Sequence, residues 1–136
     1  MNAENLNVGD VIASREIHFT RDRLVRYAGA SGDFNPIHYR DDVAESVGLD
    51  GVLAHGMLTM GAAVSPVTEW LGTNGYVTDY QSRFTRPIVV DPKDGAHVTI
   101  TGTIGAVDGA DVRVDLKVTV ADKTVLGKAQ VFVKLS

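Results

Sequence analysis

The chain has 136 residues, 44% hydrophobic and 22% charged, with a net charge of −4. That length fits one domain of ~100–200 residues with its own core, and the balance excludes disorder and fibrous repeats. The lack of cysteine excludes disulfides, thiolate metal centres and cysteine nucleophiles, and the scattered Lys and Arg argue against a nucleic-acid partner.

The first residues, MNAENLNVGDVIASREIHF, lack a basic start followed by an apolar run, and nowhere do ~18 apolar residues follow one another. No membrane partner and a cytoplasmic location are therefore expected, with residues 1–136 forming a single domain. Gly9-Asp10 reads as a turn, and the partial alternation of Val11, Ile17 and Phe19 predicts a half-buried strand over 12–19. Thr20 stands where an N-cap belongs. Leu24, Val25, Tyr27 and Ala28 follow at helical spacing, predicting a helix over 21–30 that SGDFNP ends.

A second short helix is expected over 41–47, ending at Gly48. LAHGMLTMGAAVSPVTEWLG is the longest apolar segment; apolar residues cover nearly every side of a helix drawn through it, so a long, buried helix of about five turns is expected. Pro66 removes one backbone hydrogen bond, predicting a kink near 62–65. Four strands follow over 76–90, 96–107, 110–121 and 123–135, separated by Asp-Pro, Asp-Gly and Asp-Lys turns. Residues 87–95 form the expected flexible excursion. An antiparallel sheet wrapped about a central apolar helix satisfies this order, an α+β arrangement with the shape of a hot-dog fold.

The polar residues of greatest interest lie in YAGASGDFNPIHYRDDVA, where Asp33, Asn35 and His38 occur within six residues. Two readings stand side by side. Asp and Asn bond to nearby backbone amides in turns, so GDFNP can be only a self-braced loop. Alternatively, a carboxylate and an imidazole that converge can hold a water between them and share acid and base work at neutral pH, with Gly32 allowing the tight turn and Pro36 and Asn35 stiffening it. The second element is AHGMLTMG at the start of the buried helix. The amide of Gly56 there lies at a helix N-terminus, suited to a carbonyl oxygen gaining negative charge, while the alternative reading is that the glycine simply allows close packing. Together they fit reversible hydration and dehydration of a 3-hydroxyacyl thioester.

The 18-residue stretch resembles the hydratase-2 signature of the MaoC-like hydratases and dehydratases, with Tyr27, Gly32, Asp33, Asn35, Pro36, Ile37, His38 and Ala44 in matching places. The resemblance extends over essentially the whole chain, through LAHGMLTMG and RFTRPIVV, and within the family is greatest to the catalytic beta subunit of actinobacterial (3R)-hydroxyacyl-ACP dehydratases. It implies a single hot-dog subunit that dimerises edge to edge, as a homodimer or as a heterodimer with a related hot-dog subunit. It also implies a hydro-lyase, an (R)-specific enoyl-CoA hydratase or 3-hydroxyacyl-ACP dehydratase of fatty-acid metabolism. Asp33 and His38 would bind the water, Asn35 would support them, and Gly56 would polarise the carbonyl. Pro66 departs from the family pattern and bears on the acyl pocket.

Acyl-CoA or acyl-ACP is the expected substrate and no cofactor is expected. Gly32, Pro36, His55, Met57, Arg83 and Arg86 are candidate substrate-binding residues, the two arginines toward carrier phosphates; capping of the helix start is equally open for His55, a place in the core for Met57, and plain solvation for the arginines. His18 and His97 are expected to be structural. A metal site from Asp33, His38 and His55 has no recognised ligand spacing behind it and is not expected. The sequence argues against two other functions. A hot-dog thioesterase wants a carboxylate on the first half of the central helix, where this chain has none before Glu69. A non-catalytic acyl-thioester binding subunit has no need of both Asp33 and His38.

Overall fold

The computed structural model describes residues 3–136; Met1 and Asn2, part of the expected domain, lie outside the described residues. Strand β1 (Val11–Phe19) leads into helix α1 (Arg21–Ser31). A 3-10 turn (Pro36–His38), helix α2 (Asp41–Ser46) and the long helix α3 (Gly56–Leu71) follow. Strands β2 (Gly75–Phe84), β3 (Ala96–Asp108), β4 (Asp111–Val120) and β5 (Lys123–Leu135) complete the chain. They form one five-stranded sheet in the order β1-β3-β4-β5-β2, every pairing antiparallel. Helix α3 packs on it, touching β1, β2, β3 and β4. This is the hot-dog arrangement.

Period-2 alternation explains which side of the sheet carries the core: Val98, Ile100 and Ile104 of β3, Val112, Val114 and Val118 of β4, and Val131 and Val133 of β5 are buried against Ala63, Val67 and Leu71 of α3. One sheet covers only one side of the helix. The expectation that α3 is buried nearly all round therefore does not hold within a single chain: Met57, Gly61, Thr68 and Glu69 are exposed. The helix runs without interruption through Pro66, which leaves the carbonyl of Ala62 without its usual amide donor. Nearby, the Ser65 hydroxyl donates to the carbonyl of Gly61 at 3.2 Å.

The strand expected over 76–90 ends at Phe84. Beyond it, 85–90 is an irregular strap, and it is tied down rather than a loose excursion. Ala54 donates to the carbonyl of Ile88 at 2.9 Å, Val90 to that of Val52 at 2.9 Å, and Ile88 and Val90 are buried. The Asp91 carboxylate accepts from the amides of Lys93 and Asp94, both at 2.8 Å, closing the turn that returns the chain to β3. Arg21 fastens the same strap from the other side, donating Nε to the carbonyl of Val90 at 2.5 Å while its guanidinium pairs with Asp41 of α2.

Thr20 holds the N-cap position of α1, but its side chain donates to Asp22 at 2.5 Å instead of accepting from the helix. His18 and His97 are cross-strand partners whose rings stack at 4.3 Å, and Nδ1 of His97 lies 3.1 Å from Glu16.

Candidate active site

Gly32 ends α1 in the left-handed region, φ 78°, its amide donating to Ala28 at 2.9 Å. Nothing crowds the position a Cβ would take, so backbone freedom alone is what glycine supplies there. The loop that follows is braced by its own side chains. Asp33 donates its amide to Ser31 Oγ at 3.1 Å, its Oδ1 accepts from the amide of Asn35 at 3.2 Å, and Asn35 Oδ1 accepts from that of Ile37 at 3.2 Å. Pro36 opens the 3-10 turn with a φ already suited to it. The self-braced loop and the converging polar pair are thus the same structure.

That turn delivers His38 into the molecule, 9% exposed. Its Nδ1 lies 2.7 Å from the carbonyl of Leu53, which can only accept, so Nδ1 carries the hydrogen and the neutral ring presents Nε2 as an acceptor. Nε2 lies 4.0 Å from Asp33 Oδ2. This exceeds a direct hydrogen bond, and two bonds of about 2.8 Å to one water would span it. The Asp33 side chain is half exposed, at 51%, which leaves it hydrated and open to an incoming molecule.

Gly56 is the first residue of α3, and the earliest intrahelical bond runs from Thr59 to the carbonyl of His55 at 3.1 Å. The amides of Gly56, Met57 and Leu58 are the donors that a helix start leaves over. A cavity of about 330 Å³ opens beside them, lined by His38, Gly56, Thr59, Phe84, Ile88 and Leu126 among others. A Cβ on Gly56 would stand 3.0 Å from the ring of Phe84, so the aromatic lies directly over this helix start. Leu53, Thr59, Phe84 and Ile88 were not among the residues expected from sequence. The short apolar run Ile88–Val90 between Pro87 and Pro92 was the available signal for the strap.

Of the candidate substrate-binding residues, Arg86 lines the cavity and donates to the carbonyl of Thr124 at 2.9 Å. Arg83 lies outside that wall, in a separate surface depression with Lys128. Met57 points away, 61% exposed. His55 is 1% exposed and lies behind His38, not on the cavity wall. It takes the N-cap position of α3 without capping through its side chain. Burial, and then the charge of His38, hold its ring below the ordinary histidine range.

Asp33, His38 and His55 can each offer one ligand atom within 4.8 Å of the others. The two rings stack 22° from parallel, so their in-plane lone pairs run side by side instead of converging, and one nitrogen of each ring already faces a carbonyl. The donor set does not fit a single ion.

This geometry can be set beside known proteins. The family model described as MaoC like domain matches residues 4–124. The chain belongs to that family. One relative, the (R)-specific enoyl-CoA hydratase of Rhodospirillum rubrum, is 33% identical over 109 residues, covering 79% of this chain and 74% of that protein. Another, 3-hydroxyacyl-thioester dehydratase X of Mycobacterium tuberculosis, is 30% identical over 82 residues, 60% of this chain and 28% of that protein. A solved MaoC-like dehydratase superposes with a TM-score of 0.92 at 33% identity, over 99% of this chain and 42% of that one. The chain thus spans less than half the length of the latter two. Among the described residues of this MaoC-like domain, no helix is long and apolar enough to cross a membrane.

Proposed function

We propose that the chain is a hydro-lyase that interconverts trans-2-enoyl and (3R)-hydroxyacyl thioesters carried by CoA or acyl carrier protein in fatty-acid metabolism. The observation that carries this reading is the pairing of Asp33 and His38, 4.0 Å apart, with His38 on the wall of a cavity that also holds the free helix start at Gly56.

In hydration, water held between Asp33 and His38 adds its hydroxyl to C3 while its proton goes to C2 on the same face. The pair takes one proton from the water and returns one to C2, so it ends as it began. Negative charge building on the thioester oxygen is met by the amide of Gly56, aligned with the positive end of α3. Dehydration runs the same path backward. The two groups act as a coupled unit, and the shuttled proton belongs to the pair. Asn35 keeps the loop in register, and Gly32 and Pro36 set its shape. Arg86 on the cavity wall is the residue best placed for a carrier phosphate.

The exposed face of α3 and the unpaired edge of β2 are the surfaces through which a second hot-dog subunit, identical or related, would complete the assembly. The (R) sense is supported by the name of the R. rubrum relative.

The test is loss of enoyl absorbance on incubating purified protein with crotonyl-CoA, a longer trans-2-enoyl-CoA and the matching trans-2-enoyl thioester of acyl carrier protein, followed by chiral chromatography. Formation of the (3R)-alcohol is the expected result. Release of free thiol without a hydroxyacyl product, or no turnover of either the CoA or the acyl carrier protein thioester, would overturn it.

A further inference from the structure

His55 touches each part of the site without lining its cavity. Its ring stacks on His38 with centroids 3.9 Å apart and meets Tyr27 of α1 edge-on at 4.7 Å. Its Nε2 lies 3.3 Å from the backbone carbonyl of Asp33, and its own carbonyl accepts the first hydrogen bond of α3. Because the Asp33 carbonyl can only accept, Nε2 carries the hydrogen. Nδ1 is then a lone pair, fully buried and without any partner.

A phenylalanine or leucine would fill this place without the orphaned Nδ1, which normally costs stability. The orphan therefore calls for a role. Protonating Nδ1 would create a buried, unpaired cation in contact with His38, so the ring is held neutral by its surroundings. A neutral aromatic face beneath an imidazole steadies that imidazole when it becomes charged.

We propose that His55 is the positioning residue of the acid–base pair: it sets the ring plane of His38 and the height of the Asp33 loop, and by staying neutral it keeps the shuttled proton within the Asp33–His38 pair. This rests on the reading of Asp33 and His38 as the acid–base pair. The titratable groups facing the two rings are Tyr27 from α1 and Asp33 from the loop, besides the rings themselves. Burial and the neighbouring His38 both push the His55 titration in the direction this role needs.

Two substitutions separate the two contacts. His55→Phe keeps the stacked ring and removes the donor to Asp33; His55→Gln keeps a neutral donor and removes the ring. The readouts are the pH profile of kcat and KM for enoyl-CoA hydration, and an NMR titration of the His38 ring in wild type and both variants. In His55→Gln the His38 midpoint and the acidic limb of the kcat profile should move down together by about half a pH unit. In His55→Phe the midpoint should hold while kcat falls about tenfold and KM changes less than about twofold. A His38 midpoint unmoved in His55→Gln would overturn the proposal, even if both variants lose activity in parallel with melting temperature. If the wild type proves not to be a hydratase, the titration still decides whether His55 tunes His38.

Discussion

The contribution of the Gly56 amide can be isolated because the backbone there accepts proline. His55, the residue before it, has φ −62° and ψ 131°, the extended conformation that a following proline requires. Gly56 itself is the first helical position, where proline is favoured because its missing N–H had no intrahelical partner. Gly56→Pro therefore deletes the donor while leaving the helix intact. Gly56→Ala supplies a matching Cβ and keeps the N–H. Both would place that carbon 3.0 Å from the Phe84 ring; Phe84 is 57% exposed, and if its ring gives way toward solvent both should stay within about 1 kcal/mol of wild-type stability in urea titrations. Loss of one preorganised donor to a developing oxyanion costs about 100- to 1000-fold in rate. Initial rates of enoyl-CoA hydration should accordingly place kcat/KM of Gly56→Pro that far below Gly56→Ala. Equal values within about threefold would show that this amide does not polarise the carbonyl. A stability loss above about 3 kcal/mol in both would show that Phe84 is not free to move.

Three further outcomes are expected. Gly95 has φ 67°, and a Cβ there would meet the carbonyl of Phe19 and come within 2.6 Å of His18 Nε2; Gly95→Ala should cost about 2–5 kcal/mol in urea unfolding, since backbone strain and overpacking add. Arg21→Met keeps the aliphatic stem but strips the Val90 carbonyl and α2 of their shared donor, and should destabilise by about 1–3 kcal/mol and raise KM more than it lowers kcat, because the strap it releases carries a cavity wall. The lowered titration of His55 means that the unfolded chain binds the proton more readily. Stability should therefore fall as pH drops below about 6.5, and urea midpoints at about pH 7.5 and 5.5 should differ more in wild type than in His55→Phe.

Much of this was legible in the sequence because it is local. The signature loop, α1, α2 and the start of α3 all follow from side chains within four residues of one another, and β3, β4 and β5 announce themselves by alternation and Asp-containing turns. What was not legible depends on contacts distant in sequence. The strap over 85–90 reads as strand by composition, yet its bonds go to Val52 and Ala54, which no local pattern predicts. The stacking of His55 on His38, 17 positions apart, exists only once the loop folds back on the helix start. Likewise, Glu16 reaches His97 only through the β1–β3 register. The composition of the apolar helix points to burial all round because it reflects every surface the helix meets, while one sheet covers only part of it.

The central claim is that Asp33 and His38 work as one unit on a shared water. The most direct measurement is kcat/KM for enoyl-CoA hydration in Asp33→Asn, His38→Gln and the double variant, each checked for native circular dichroism. Each single change should cost about 100- to 10,000-fold, and the double should lie within about threefold of the worse single. Losses that multiply in the double variant, or a single variant that keeps more than about half the wild-type rate, would contradict the account.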